Sequence, residues 1–103
     1  MVSGQLVKAK FKLYPTEQSG RQAPVTTRYR PNHVFKYKDG SMVAAYIGEV
    51  RFDDEDQIAP GEEKIVSVNF LRQGDIDKYF QVGRKWWIHE GARVVGEAEI
   101  IGL

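Results

Sequence analysis

The chain predicts an all-β fold closed into an antiparallel barrel, and three observations carry that expectation. Apolar residues alternate with polar ones at period two along most of the sequence. Turn pairs such as Asp39-Gly40 and Pro60-Gly61 separate the alternating runs. No segment holds a 3.6-residue apolar stripe long enough for a helix of three turns. Six or seven short strands in 103 residues must hide their edges, and closure on themselves does so most completely. A β-sandwich is the alternative.

Along residues 6–14, Val7, Ala9, Phe11 and Leu13 alternate with Lys8, Lys10 and Lys12, which makes a half-buried strand. Pro15, Ser19, Gly20 and Pro24 break the pattern, so residues 15–24 read as a surface loop. Strands are expected over 25–29 and 33–38. Asp39-Gly40 then turns the chain, because both residue types tolerate positive φ, and the return strand is 42–52. The acids Asp53, Asp54, Glu55 and Asp56 would repel one another in a ladder and belong to a loop that closes at Pro60-Gly61, a type II turn pair. Residues 64–71 form a strand with Val66, Val68 and Phe70 on one face, and 75–80 a short helical turn. Strands 84–89 and 93–101, joined by a Glu-Gly turn, finish the chain. If Ile88 is core, Trp86 is core with it, and Trp87 shares the outer face with His89.

A chain of this length makes one domain with one core. The absence of cysteine excludes disulfides, a thiolate nucleophile and a cysteine zinc site, and suits a reducing compartment. The N-terminus leads into lysines without an apolar run, and nowhere do about 18 consecutive apolar residues stand together, so the expected location is the cytoplasm and no membrane is involved. Net charge is +1, but residues 1–50 hold eight Lys/Arg against three acids and residues 51–103 hold seven against eleven. Whether this dipole in sequence is one in space depends on how the strands interleave.

Four motifs in order, Gly20-Arg21-Gln22-Ala23-Pro24, Tyr29-Arg30-Pro31-Asn32, Pro60-Gly61-Glu62 and His89-Glu90-Gly91-Ala92-Arg93-Val94-Val95-Gly96, resemble the C-terminal, third domain of elongation factor Tu, the GTPase that delivers aminoacyl-tRNA. The resemblance runs from about Gln5 to Ile101. It implies a closed six-stranded antiparallel β-barrel that in the factor contacts the tRNA T-stem, the GTPase domain and the exchange partner. Here that domain is expected to be freestanding. No Gly-x-x-x-x-Gly-Lys-Ser/Thr loop is present to cradle phosphates, which excludes GTP binding and hydrolysis and, with them, tRNA delivery. Of the family's RNA-facing positions, Asn32 matches a polar amide after Tyr-Arg-Pro, Glu90 and Gly91 match the turn that approaches the T-stem, and Lys78 lies near a basic position. The family's threonine after the hairpin has no counterpart in Tyr37-Lys38-Asp39-Gly40. Trp87 replaces what is usually a small residue on the face toward the GTPase domain, and a side chain of about 200 Å² there implies a rewritten interface.

Two function classes follow. The first is a non-catalytic module that docks a protein through Trp87, His89, Glu90 and Arg93, with translation components as first candidates and a bacterial toxin as a second, on size alone. Trp87 is either such an anchor or a ring covered by residues 72–82. The competing class is a weak binder of a tRNA-like RNA stem through Arg28, Arg30, Asn32, Lys36, Lys38, Lys78, Glu90, Gly91 and Arg93, arginine being the better phosphate fork. Alternating lysines are, more simply, a solvated outer face that guards against edge pairing. No catalytic residue, cofactor or metal is expected. The acidic run lacks calcium-loop spacing, and His33 and His89 lack neighbouring ligands. His89-Glu90 as an acid/base pair fails because adjacent strand residues point to opposite faces.

Overall fold

Ten residues of strict alternation make the first strand of the computed structural model, which describes residues 4–103. In β1 (Gly4–Leu13), Val7, Ala9, Phe11 and Leu13 are fully buried, while Lys8, Lys10 and Lys12 face water. The expectation about the N-terminus falls partly on residues 1–3, which lie outside the described residues. One helical turn, α1 (Thr16–Ser19), sits inside the stretch expected to be loop and closes on Gly20. β2 (Asn32–Lys38) and β3 (Ser41–Arg51) form the expected hairpin, with Asp39 and Gly40 both at positive φ (51° and 79°) as a primed two-residue turn requires. β4 (Glu63–Leu71) follows a turn across Pro60-Gly61 closed by Glu62 N donating to the Ala59 carbonyl at 2.9 Å. A 3₁₀ turn (Ile76–Tyr79) stands where the helical turn was expected, and β5 (Lys85–Glu90) and β6 (Arg93–Gly102) complete the chain.

The strands are all antiparallel and form a closed ring in the order β1-β4-β3-β2-β5-β6, with β6 returning to β1. The Cα radius of gyration is 13.0 Å, the value expected of about 100 compactly folded residues. The expected strand at 25–29 is not one. Only Val25 and Tyr29 make isolated bridges, to Ile58 and Val50, and Arg28 between them adopts φ 73°, which ends any ladder. Among the described residues, no helix is long and apolar enough to cross a membrane.

Inside the ring, the buried residues of all six strands form one core, with a cluster of aromatic rings at its centre. Phe35 stacks on Trp86 (ring centroids 5.0 Å apart) and on Tyr79 (5.2 Å), and Phe70 meets Trp86 edge-on at 5.7 Å. Trp86 and Ile88 are both fully buried, as the pairing of their positions predicts. His33 is also enclosed, with no exposed surface. It accepts a hydrogen bond at Nδ1 from Trp86 Nε1 (2.9 Å) and donates from Nε2 to the Gly48 carbonyl (3.0 Å). Desolvation pushes its pKa down to about 4, only partly opposed by the Gly48 bond. The imidazole is thus a neutral structural linker between β2, β3 and β5.

The two charge halves of the sequence mix in space. On the outer face Lys12 lies opposite Glu63 of β4 and Glu97 of β6, and Lys10 lies opposite Glu99. Lys12 thus has a carboxylate on each side and Lys10 on one, whereas Lys8 lies opposite Ser67 and Gly102.

Candidate functional site

β5 and β6 place the candidate residues of the last third of the chain, and a two-residue turn orients them. Gly91 has φ 62°, the conformation that a primed hairpin needs at its first central position, so Gly91 and Ala92 make the turn and Glu90 ends β5. Glu90 is thus a strand residue, and its carboxylate points into a network. Arg21 Nη1 donates to it at 2.6 Å, the Tyr29 hydroxyl at 2.5 Å and Arg93 Nη2 at 3.5 Å, while the Arg21 guanidinium also lies over the Tyr29 ring at 5.5 Å. Burial raises the Glu90 pKa, but the Tyr29 hydroxyl and the charges of Arg21 and Arg93 outweigh it and hold the carboxyl below its usual range. The same burial, together with the bond to Glu90, drives the Tyr29 hydroxyl well above an ordinary phenol. Glu90 therefore ties the segment around α1 to the β5–β6 turn.

Replacing Glu90 by alanine is expected to destabilise the fold by about 2 kcal/mol, because the half-buried Arg21 loses its counter-charge and the Tyr29 hydroxyl its acceptor. Urea unfolding at pH 7 measures this, and a loss under about 0.5 kcal/mol would mark the cluster as an ordinary surface ion pair.

Trp87 and His89 fare differently. The outer face of β5 carries a row of aromatic groups that runs across the strands. Tyr37 of β2 meets Trp87 edge-on with centroids 5.6 Å apart, Trp87 lies opposite Glu97 of β6, and the Tyr14 hydroxyl donates to Glu97 Oε1 at 3.0 Å. Tyr37, Trp87 and Tyr14 are each only partly covered. The ring that packs against Trp87 is Tyr37. His89 is not an exposed docking residue: it is 4% accessible, its ring lies 5.7 Å from that of Tyr37, and its Nε2 is hydrogen-bonded to the Tyr37 hydroxyl. A shift of register between Ile88 and His89 opposite β6 leaves both residues buried in succession. Burial lowers the His89 pKa against an opposing Gly91 backbone contribution, so the ring is neutral at pH 7. Burial together with the Glu97 bond raises the Tyr14 hydroxyl to about 12.

The arginines form a second cluster at the same end of the ring. Arg30 donates from Nε and Nη2 to Glu49 Oε2 (2.9 and 2.7 Å), and Arg51 Nε donates to Oε1 (2.5 Å). Both bonds lower the Glu49 pKa, that of Arg51 more strongly. The arginines are exposed (71% and 55%) over the inward-set Glu49, and they border a groove of about 300 Å³. Arg28 shares a neighbouring hollow with Arg51.

Of the predicted RNA contacts, the structure brings Arg28, Arg30, Asn32, Glu90, Gly91 and Arg93 to one end of the ring. Lys36 and Lys38 lie toward the other end of β2, six residues or about 20 Å from Asn32 in the case of Lys38. Lys78 is on the 3₁₀ turn, paired with Asp75 at 2.8 Å and lying over the Tyr79 ring, and does not join the others. Sequence reasoning missed Arg21, Tyr29, Glu49, Arg51, Tyr37 and Tyr14. Glu49 and Arg51 carried a local signal, since residues two apart on a strand share a face. The others meet their partners only across the ring. Among the described residues no group of three or more His, Asp or Glu stands close enough to hold a metal ion. No protein-family model matches this chain.

Proposed function

We propose that the chain is a non-catalytic binding module whose ring is a barrel of the elongation factor Tu C-terminal type, and that it docks a protein through the aromatic row centred on Trp87. The observation that carries this reading is the incomplete cover of Trp87: a large ring packed edge-on against Tyr37, partly open to solvent, on a face flanked by the polar Glu97 and Tyr14. Rigid aromatic anchors inside a polar rim are the side chains that dominate protein interfaces. The number of strands and their closure support the resemblance in the sequence. Translation components are the first partners to test, and a toxin the second.

The competing RNA reading draws on Arg28, Arg30 and Arg51 at one end of the ring. Glu49 there, and Glu90 on Arg93, would face the same phosphates, which favours the protein reading. Affinity capture from the cell's own extract with wild-type and Trp87→Ala protein distinguishes the two. We expect a protein band that survives ribonuclease and raised salt and is lost on substitution, with a change of at least about tenfold in recovery if Trp87 is a hot spot. A partner list unchanged by Trp87→Ala ends the docking reading, whereas capture that falls log-linearly with salt and vanishes with ribonuclease selects RNA.

A further inference from the structure

The β2–β3 hairpin outgrows the ring. β2 pairs with β5 only over residues 32–34, and β3 pairs with β4 only over residues 48–51, so residues 35–38 and 41–47 are bonded to each other and, among the described residues, to no third strand. Its inner face is held down: Phe35 stacks on Tyr79, and the Tyr46 hydroxyl donates to Asp75 Oδ1 at 3.0 Å. The projecting part is therefore a supported two-stranded ribbon with two open edges.

The two edges are treated differently. The β2 edge carries the charges of Lys36 and Lys38, and the Arg84 guanidinium occupies the Phe35 carbonyl. These are devices that keep a second strand away. The β3 edge has none of them over residues 41–46, which are Ser, Met, Val, Ala, Ala and Tyr, with neither a charge nor a proline. Only at Ile47 does a side chain intervene, where Gln73 Nε2 donates to the carbonyl at 3.4 Å. Met42 and Val43 beside the open edge are 41% and 51% exposed.

We propose that this edge pairs with the same edge of a second copy, β3 against β3 in antiparallel order about a twofold axis. Such an edge is its own complement, since a twofold sets each residue of one strand against its counterpart in the reversed strand, and with no charge in the segment no like charges meet. The pairing satisfies backbone groups now left to water and covers Met42 and Val43. Six residues of edge make a small interface, so the dimer is weak and forms with rising concentration.

Sedimentation velocity on the full chain tests this, together with amide hydrogen exchange. Over roughly 10 µM to 1 mM, the range expected of an interface at the small end of the scale, the apparent mass should climb from 11.8 kDa toward twofold higher, and amides within residues 42–46 should become protected in step. Val43→Lys, at an exposed position that leaves the fold intact, should hold the mass at the monomer value throughout, and Met42→Lys should do the same. A wild-type chain that stays monomeric over the whole range overturns the proposal. So does a dimer that survives both lysines, or one lost with Trp87→Ala and not with Val43→Lys.

Discussion

Trp86→Ala is expected to lower the unfolding free energy by about 4 kcal/mol, the upper part of the range for removing a buried aromatic ring. Trp86 has no exposed surface, and its ring fills the space between Phe35, stacked at 5.0 Å, and Phe70, edge-on at 5.7 Å. Alanine leaves a void bounded by the rings of Phe35, His33 and Phe70, packed together in the core with little room to collapse into it. It also removes the hydrogen-bond donor to His33 Nδ1. For a domain with total stability of about 5–15 kcal/mol such a loss is a large share, and the melting temperature should fall on the order of 20 °C. Trp86→Phe separates the two effects: it keeps most of the stack and orphans only the histidine nitrogen, for about 1–3 kcal/mol. Thermal and urea melts decide between them. An alanine variant within about 1 kcal/mol of wild type would mean that the ring does not fill the core.

The same hydrogen bond sets the expected response to acid. His33 is neutral in the fold with a pKa near 4, against an ordinary 6.5 for an exposed imidazole. The unfolded chain therefore takes up a proton that the native state refuses, and stability falls with falling pH. Protonation at Nδ1 would also set a new N–H against the Trp86 N–H that already points there. Above pH 6.5 this contribution is complete. It is lost progressively as pH drops from 6.5 to about 4, by a total of about 3 kcal/mol. Glu49, Asp75 and Glu90 have depressed pKa values and add their own losses only lower, as pH falls through the carboxylate range. Urea midpoints recorded from pH 7.5 to 5 isolate the histidine window, in which His89, also lowered by burial, adds a loss of the same sign. The ring protons of His33 should not titrate by NMR above pH 5, and His33→Gln should reduce the slope, leaving the share that His89 contributes. A wild-type curve already flat across that window would refute the assignment.

Six of the strands were legible in the residues because along most of their length one face is buried, and a half-buried stretch of strand alternates. β1, with three lysines set between Val7, Ala9, Phe11 and Leu13, is the plainest case. The hairpin at Asp39-Gly40 and the 3₁₀ turn near Tyr79 were legible for similarly local reasons. The segment 25–29 was misjudged because Val25 and Tyr29 are apolar for a different cause: each makes a single bridge beneath the loops, and Arg28 at positive φ breaks the run between them. The inward position of Trp86 followed from parity alone. The burial of His89 did not, since it depends on the offset of β6 against β5 and on a tyrosine 52 residues away.

What the residues determined on their own was therefore the class, the turns and the inward set of each strand, because periodicity and turn chemistry act over two to four neighbours. Which charges meet was decided only by the closed ring. Arg21 and Tyr29 reach Glu90 across more than sixty residues of chain, Lys10 and Lys12 of β1 come to lie opposite glutamates of β4 and β6, and β3 is left with an open edge. These outcomes depend on the order and stagger of the strands, and pairing between distant segments is a property of the whole ladder that no short stretch of sequence encodes.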